Sequence, residues 1–188
     1  MRPPLTLRVH ALLKRSYANG PGCRAVVWVQ GCSIRCAGCC NPGAQDRTGG
    51  RVIAVAEVLA WVRSITSIEG VTLSGGEPLD QPEAVAALLR RVRRTTDFSV
   101  ILFTGFDWTR VAGTPALMDV ARLADVVVAG PYRRRQHLGY ALLGSANQTI
   151  HLLTDRYKLP DLEAVPEVEV VLDEVHTVLT GVNDATVT

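Results

Sequence analysis

The apolar residues fall into short continuous runs separated by longer amphipathic stretches. Residues 26–29, 71–73, 100–103 and 126–128 are dominated by β-branched and aromatic side chains, the pattern of buried strands. Between the first two runs, Val55, Val58, Leu59 and Val62 recur at i, i+3, i+4 and i+7, which predicts a helix with one apolar stripe. Val85, Leu88, Leu89 and Val92 repeat that spacing. Asp80 is placed to cap this second helix, with Pro82 near its first position and Glu83 completing a capping box. Residues 117–123 predict a third helix. Strand and helix alternate, so the strands should run parallel through helical crossovers, with ligand sites at their carboxyl ends. Residues 148–152, 168–172 and 176–179 read as further strands, the last two as a hairpin turning through Asp173 and Glu174.

With 188 residues, 47% hydrophobic and 20% charged, the chain has the balance of one globular domain spanning 1–188. The net charge of +2 predicts no nucleic-acid partner. Arg133, Arg134 and Arg135 form a short charge run of the kind usually solvated. No stretch reaches the roughly 18 apolar residues of a membrane helix, and the start has no apolar signal segment, so no membrane partner and a cytoplasmic location are expected. All five cysteines lie between Cys23 and Cys40, which favours metal or redox chemistry over a disulfide framework.

Cys32-x3-Cys36-x2-Cys39 places three thiolates close enough to ligate one iron-sulfur cluster, leaving one iron open to an external chelate. A zinc site would want a second pair or histidines nearby, and His10, His137, His151 and His176 are isolated. Cys40 adjoins a ligand and so suits pocket lining, and Cys23 suits the core. The cysteine loop, residues 74–77, Thr104-Gly105 and Gly130-Pro131 all follow predicted strands and should share one rim. Gly75 and Gly76 would allow a ligand near the backbone, Glu77 would accept from an ammonium, and Pro78 stiffens the exit.

The cysteine spacing resembles that of the radical S-adenosylmethionine enzymes. Gly20-Pro-Gly22, Arg24, Trp28-Val-Gln-Gly-Cys32, Gly38-Cys39, Asn41-Pro42, Leu73-Ser-Gly-Gly-Glu-Pro78, Thr104-Gly105, Gly144-Ser145 and Asn147-Gln148 are similar to the activating component of anaerobic ribonucleotide reductase. The likeness covers about residues 19–152 and leaves a short irregular, β-containing tail at 153–188. It implies an α/β fold, an incomplete (β/α)6 TIM-like barrel with an open side. It implies one 4Fe-4S cluster on Cys32, Cys36 and Cys39, with S-adenosylmethionine as cofactor. Gly75, Gly76 and Glu77 would receive the methionine amino group, Gly38 and Cys40 would touch the cofactor through backbone atoms, and the Thr104 hydroxyl would meet its ribose. The implied partners are a large glycyl-radical enzyme and a flavodoxin- or ferredoxin-type reductant. Two departures stand out: the family commonly has a ring at Cys40, and its aspartate is replaced by Ala129. No cysteine follows Cys40, so auxiliary clusters are not expected; with no added amino-terminal domain expected to hold cobalamin, cobalamin-dependent methyl transfer is not expected either. The alternatives are a radical enzyme acting on a small metabolite or peptide, and a non-catalytic iron-sulfur or zinc protein.

Overall fold

The computed structural model describes residues 3–172 and 177–182. In chain order the strands and helices are β1 (Thr6–Ser16), β2 (Arg24–Val29), β3 (Arg51–Ala54), α1 (Val55–Arg63), β4 (Gly70–Gly75) and α2 (Pro82–Thr95). They continue through β5 (Ser99–Thr104), α3 (Trp108–Gly113), α4 (Pro115–Ala121), β6 (Val126–Ala129), β7 (His137–Tyr140), β8 (Leu143–Ser145) and β9 (Thr149–Leu152). α5 (Leu159–Glu163), β10 (Val168–Leu172) and β11 (Thr177–Gly181) complete the chain.

Seven strands form one sheet in the order β3-β1-β2-β4-β5-β6-β9. β2, β4, β5 and β6 are mutually parallel, with Val27 opposite Leu73, Leu73 opposite Leu102 and Leu102 opposite Val127. These are the four strands that the apolar runs predict. On one side β1, for which the runs give no sign, pairs antiparallel to β2, and β3, likewise unmarked, pairs antiparallel to β1. β9 closes the other side antiparallel to β6. The expected six strand-helix units are therefore not what the described residues hold: four parallel strands are linked by three helical crossovers. After β6 the chain turns through the small β7–β8 sheet without an α-helix, and a connection of that kind returns the next strand antiparallel.

The period of two turns alternate residues of the parallel strands to opposite faces of the sheet, and β5 and β6 contribute to a core on each. Ala25, Val27, Val29, Val71, Leu73, Val100, Leu102 and Val127 pack with Val58, Val62, Leu88, Leu89, Val111 and Val120 of the helices in one buried cluster. The opposite face carries Ile101, Val126 and Val128, covered by Leu142, Tyr157, Leu162 and Val165 from the later chain. Arg24 lies fully buried at the start of β2. Its guanidinium donates to Thr72 Oγ1, Ser99 Oγ, Tyr157 OH and the carbonyls of Pro21, Val71 and Ser99. That satisfaction offsets the cost of burying a charge. Burial pushes its pKa below the usual arginine value, opposed by Tyr157, Glu69 and Asp125.

β10 and β11 pair antiparallel, as the pattern predicts, but they are no loose appendage. Glu169 accepts from the Ser16 hydroxyl and from the backbone of Tyr17 and Ala18, while Asn19 donates to Thr180. The predicted turn at Asp173 and Glu174 lies outside the described residues. So does His176.

Candidate functional site

The carboxyl ends of β2, β4, β5 and β6 surround one pocket. It is lined by the thiol-bearing residues Cys32, Cys36, Cys39 and Cys40, by Ser74 through Glu77, by Thr104 and Gly105, and by Gly130. All four strand ends expected to share a rim therefore do so, as the parallel order requires.

The cysteine loop leaves β2 and is pinned at both sides. Gly31 donates to the carbonyl of Ala44 and Cys32 to that of Gln45, so the chain returns to its own start. The Gln30 side chain donates to the carbonyls of Gly43 and Asp46 and meets His10 Nδ1 at 2.7 Å. Asp80 holds the opposite flank, accepting from Ser33 N at 2.7 Å and Ser33 Oγ at 2.8 Å. This corrects the expected role of Asp80. α2 does begin at Pro82, but its cap position is Gln81 and no side chain caps it. Asp80 ends a one-turn helix, Pro78–Asp80, and turns toward the cysteine loop instead.

Cys32 is buried, Cys36 and Cys39 are half-buried, and Cys40 is exposed. Burial pushes the Cys32 and Cys36 thiols up, while backbone amides work the other way: those of Arg35 and Ile34 at Cys32, and that of Tyr132 at Cys36. Asn41 N donates to Cys39 Sγ at 3.4 Å. Arg35 takes a left-handed φ of 53°. Successive amides around such a residue form a concavity for negative charge, here thiolate sulfur. This donor set fits an iron-sulfur cluster with three cysteine ligands.

The glycine pair has a structural cause. Gly75 has φ 106°, and a Cβ there would stand 2.6 Å from Val29 N; a Cβ on Gly76 would strike the carbonyl oxygen of Gly31. Gly76 N donates to Val29 O, and Glu77 N donates to Gly31 O, both at 2.8 Å. Here the close approach is made first by the protein's own chain, the segment that launches the cysteine loop. The Glu77 side chain is fully buried, yet its carboxylate borders the pocket. Oε1 accepts from Leu79 N and from Thr104 Oγ1, each at 2.8 Å, and Oε2 accepts from Gly105 N at 2.7 Å. Burial raises its pKa from 4.5 to about 7, despite those three donors. The Thr104 hydroxyl, expected to meet a ribose, gives its proton to Glu77 and accepts from Phe106 N.

The hairpin tail supplies a wall that the sequence patterns do not foretell: Thr180, Gly181 and Val182 line the pocket, as does Asn19. Gln148 binds the amides of Gly144 and Ser145 through Oε1 and the carbonyl of Gly130 through Nε2, locking the rim after β6. Gly38 (φ 74°) is exposed and packs on the Arg134 side chain. Ala129, the family departure, is buried in the helix-side core and does not border the pocket. Cys23 belongs to that same core. His151 stacks on Trp108 with ring centres 3.7 Å apart, and His137 contacts Tyr132.

Residues 18–151 match the family model described as a 4Fe-4S single cluster domain. The chain is 31% identical over 144 residues to the anaerobic ribonucleoside-triphosphate reductase-activating protein of Enterobacteria phage T4, covering 74% of this chain and 90% of that protein. It is also 31% identical over 163 residues to the protein of the same name from Vibrio cholerae, covering 79% of this chain and 99% of that one. It is 33% identical over 106 residues to the pyruvate formate-lyase-activating enzyme of Clostridium pasteurianum, covering 54% of this chain and 44% of the relative. With its cysteine trio and its Gly-Gly-Glu turn on one pocket, and with relatives matched over nearly their whole length, the chain belongs to the radical S-adenosylmethionine activating-enzyme family.

Proposed function

We propose that this protein cleaves S-adenosylmethionine reductively at a 4Fe-4S cluster held by Cys32, Cys36 and Cys39, and so generates a glycyl radical on a large anaerobic enzyme, a ribonucleotide reductase. The observation that carries this reading is the placement of the three thiols and the Glu77 carboxylate around one pocket. When bound and reduced by one electron, the cluster supplies homolytic cleavage of the cofactor's sulfonium, yielding methionine and a 5′-deoxyadenosyl radical.

The chain's own residues bind and orient. A carboxylate has about four acceptor sites. Three on Glu77 are filled from within the protein, and the free one on Oε2 is the seat we assign to the methionine amino group. Gly75 and Gly76 carry the turn into that seat. Thr104 and Gly105 hold the carboxylate in place. Cys40 offers backbone atoms at the rim, while Gly38, packed on Arg134, does not border the pocket. Thr180, Gly181 and Val182 narrow the pocket from the tail side, which helps to exclude water from a primary carbon radical. Contacts between the hairpin and residues 16–19 support reading residues 1–188 as one domain. Five free thiols suit a reducing compartment, and we place the protein in the cytoplasm.

The test is anaerobic reconstitution with iron and sulfide, then dithionite and S-adenosylmethionine. It should release 5′-deoxyadenosine and methionine, and the large reductase subunit should show a glycyl doublet by electron paramagnetic resonance. A fully loaded cluster that releases neither product would overturn the reading.

A further inference from the structure

The arginine run after β6 sits beside the cysteine loop. Arg133, Arg134 and Arg135 are all exposed, the last two within a one-turn helix, Arg134–Gln136. With Gln136, Tyr132 and Ala37 they line a groove beside the pocket, Tyr132 bordering both. Ala37 lies between Cys36 and Cys39 in sequence. Those two cysteines line the pocket, whereas Ala37 lines the groove. The cysteine loop is therefore the partition between the two spaces. Arg134 is pressed on this partition: a Cβ on Gly38 would stand 3.0 Å from Arg134 Cδ. On the same wall, the backbone amide of Tyr132 faces the Cys36 thiol.

The ion pairs among the described residues are Arg93 with Asp125, Arg122 with Asp119, and Arg156 with Glu69, and none of them uses this run. Three adjacent like charges on an exposed turn repel one another and add little to folding. What they do create is a local positive field, which selects and steers an acidic partner. The hydrogen donor must reach the pocket, where Glu77 and the thiols face. An electron needs only to reach the far side of the loop that carries the thiols.

We infer that this groove is the docking face for an acidic one-electron carrier protein, which passes its electron across the Cys36–Cys39 loop. The inference rests on the reading that the cysteines hold a cluster. In the step one iron of the carrier goes from the ferrous to the ferric state and the cluster gains that electron; no bond or proton moves.

The test uses the whole chain, an acidic [2Fe–2S] ferredoxin as probe, and the pair R133E/R135E, with R133Q/R135Q as the milder change. Calorimetric titration of ferredoxin should show binding to the native chain that weakens as salt rises, and R133E/R135E should bind at least about tenfold more weakly with little salt dependence. Reduction of the loaded cluster by ferredoxin should slow to match in R133E/R135E and partly in R133Q/R135Q, while reduction by the small cation methyl viologen stays within about twofold. Native ferredoxin affinity and salt slope in R133E/R135E would overturn the proposal. So would equal slowing by both reductants, or loss of binding to the large reductase subunit with ferredoxin binding intact. Failure of the underlying reading is seen separately, as no iron-sulfur absorbance in the native chain before any carrier is added.

Discussion

Thr104 donates its hydroxyl proton to Oε1 of Glu77 at 2.8 Å, joining the end of β5 to the turn after β4 inside the candidate cofactor pocket. The same hydroxyl oxygen accepts from Phe106 N, so one side chain fixes both the carboxylate and the backbone that leaves β5. In the proposed reading Thr104 therefore acts on the cofactor through Glu77, as a positioning residue.

Thr104→Val removes that bond while keeping the shape. The protein should lose on the order of 1 kcal/mol in urea unfolding. Affinity of the loaded protein for S-adenosylmethionine, measured by calorimetry, should fall by about tenfold or less, with cluster content unchanged. Unchanged affinity would show that Glu77 needs no such support.

Glu77 should impose a pH dependence on the stability of the cofactor-free protein. Burial raises its folded value from 4.5 to about 7, so between those values the folded state keeps a proton that the unfolded state has released. Stability therefore falls as pH rises from 4.5 to 7 and levels above that, by a total on the order of 3 kcal/mol. Glu77→Gln should lack this component. The check is the difference between the two proteins in urea midpoints at pH 5 and pH 8; equal pH profiles would contradict the assignment.

Gly76→Ala should unseat the cysteine loop, because the added methyl meets the Gly31 carbonyl rather than a side chain that could swing away. Iron uptake should be largely lost, and the melting temperature lowered. Gly113→Ala is the control: nothing lies within 4 Å of its Cβ, and a helix gains up to about 1 kcal/mol from alanine there.

Asp80→Ala should cost on the order of 1–2 kcal/mol and loosen the hold on Ser33. Cluster retention during gel filtration should fall, while α2 stays protected in amide exchange because Asp80 does not cap it. Loss of protection confined to α2 would restore the capping role.

Much of the site is readable from local order. Three cysteines in eight residues need no folding to be neighbours, and the continuous runs of β2, β4, β5 and β6 mark strands buried on both faces. β1 carries a weaker mark: Leu7 and Val9 are buried, while Arg8 between them and His10 after them are half-buried. β3 offers only four residues. Asp80 misleads because the local capping pattern is sound, yet Ser33, 47 positions away, provides the donors it takes.

The cysteine trio and the Gly-Gly-Glu turn at strand ends, which carry the proposed chemistry, were determined by the sequence alone, because short spacings and strand periodicity place those groups. Tertiary structure alone decided which groups serve them. It turned Thr104 onto Glu77, Asp80 onto Ser33, the hairpin onto Asn19 and the arginine turn onto the cysteine loop. Those pairings join residues far apart in the chain, and buried polar groups take whichever partner the packed fold brings within reach.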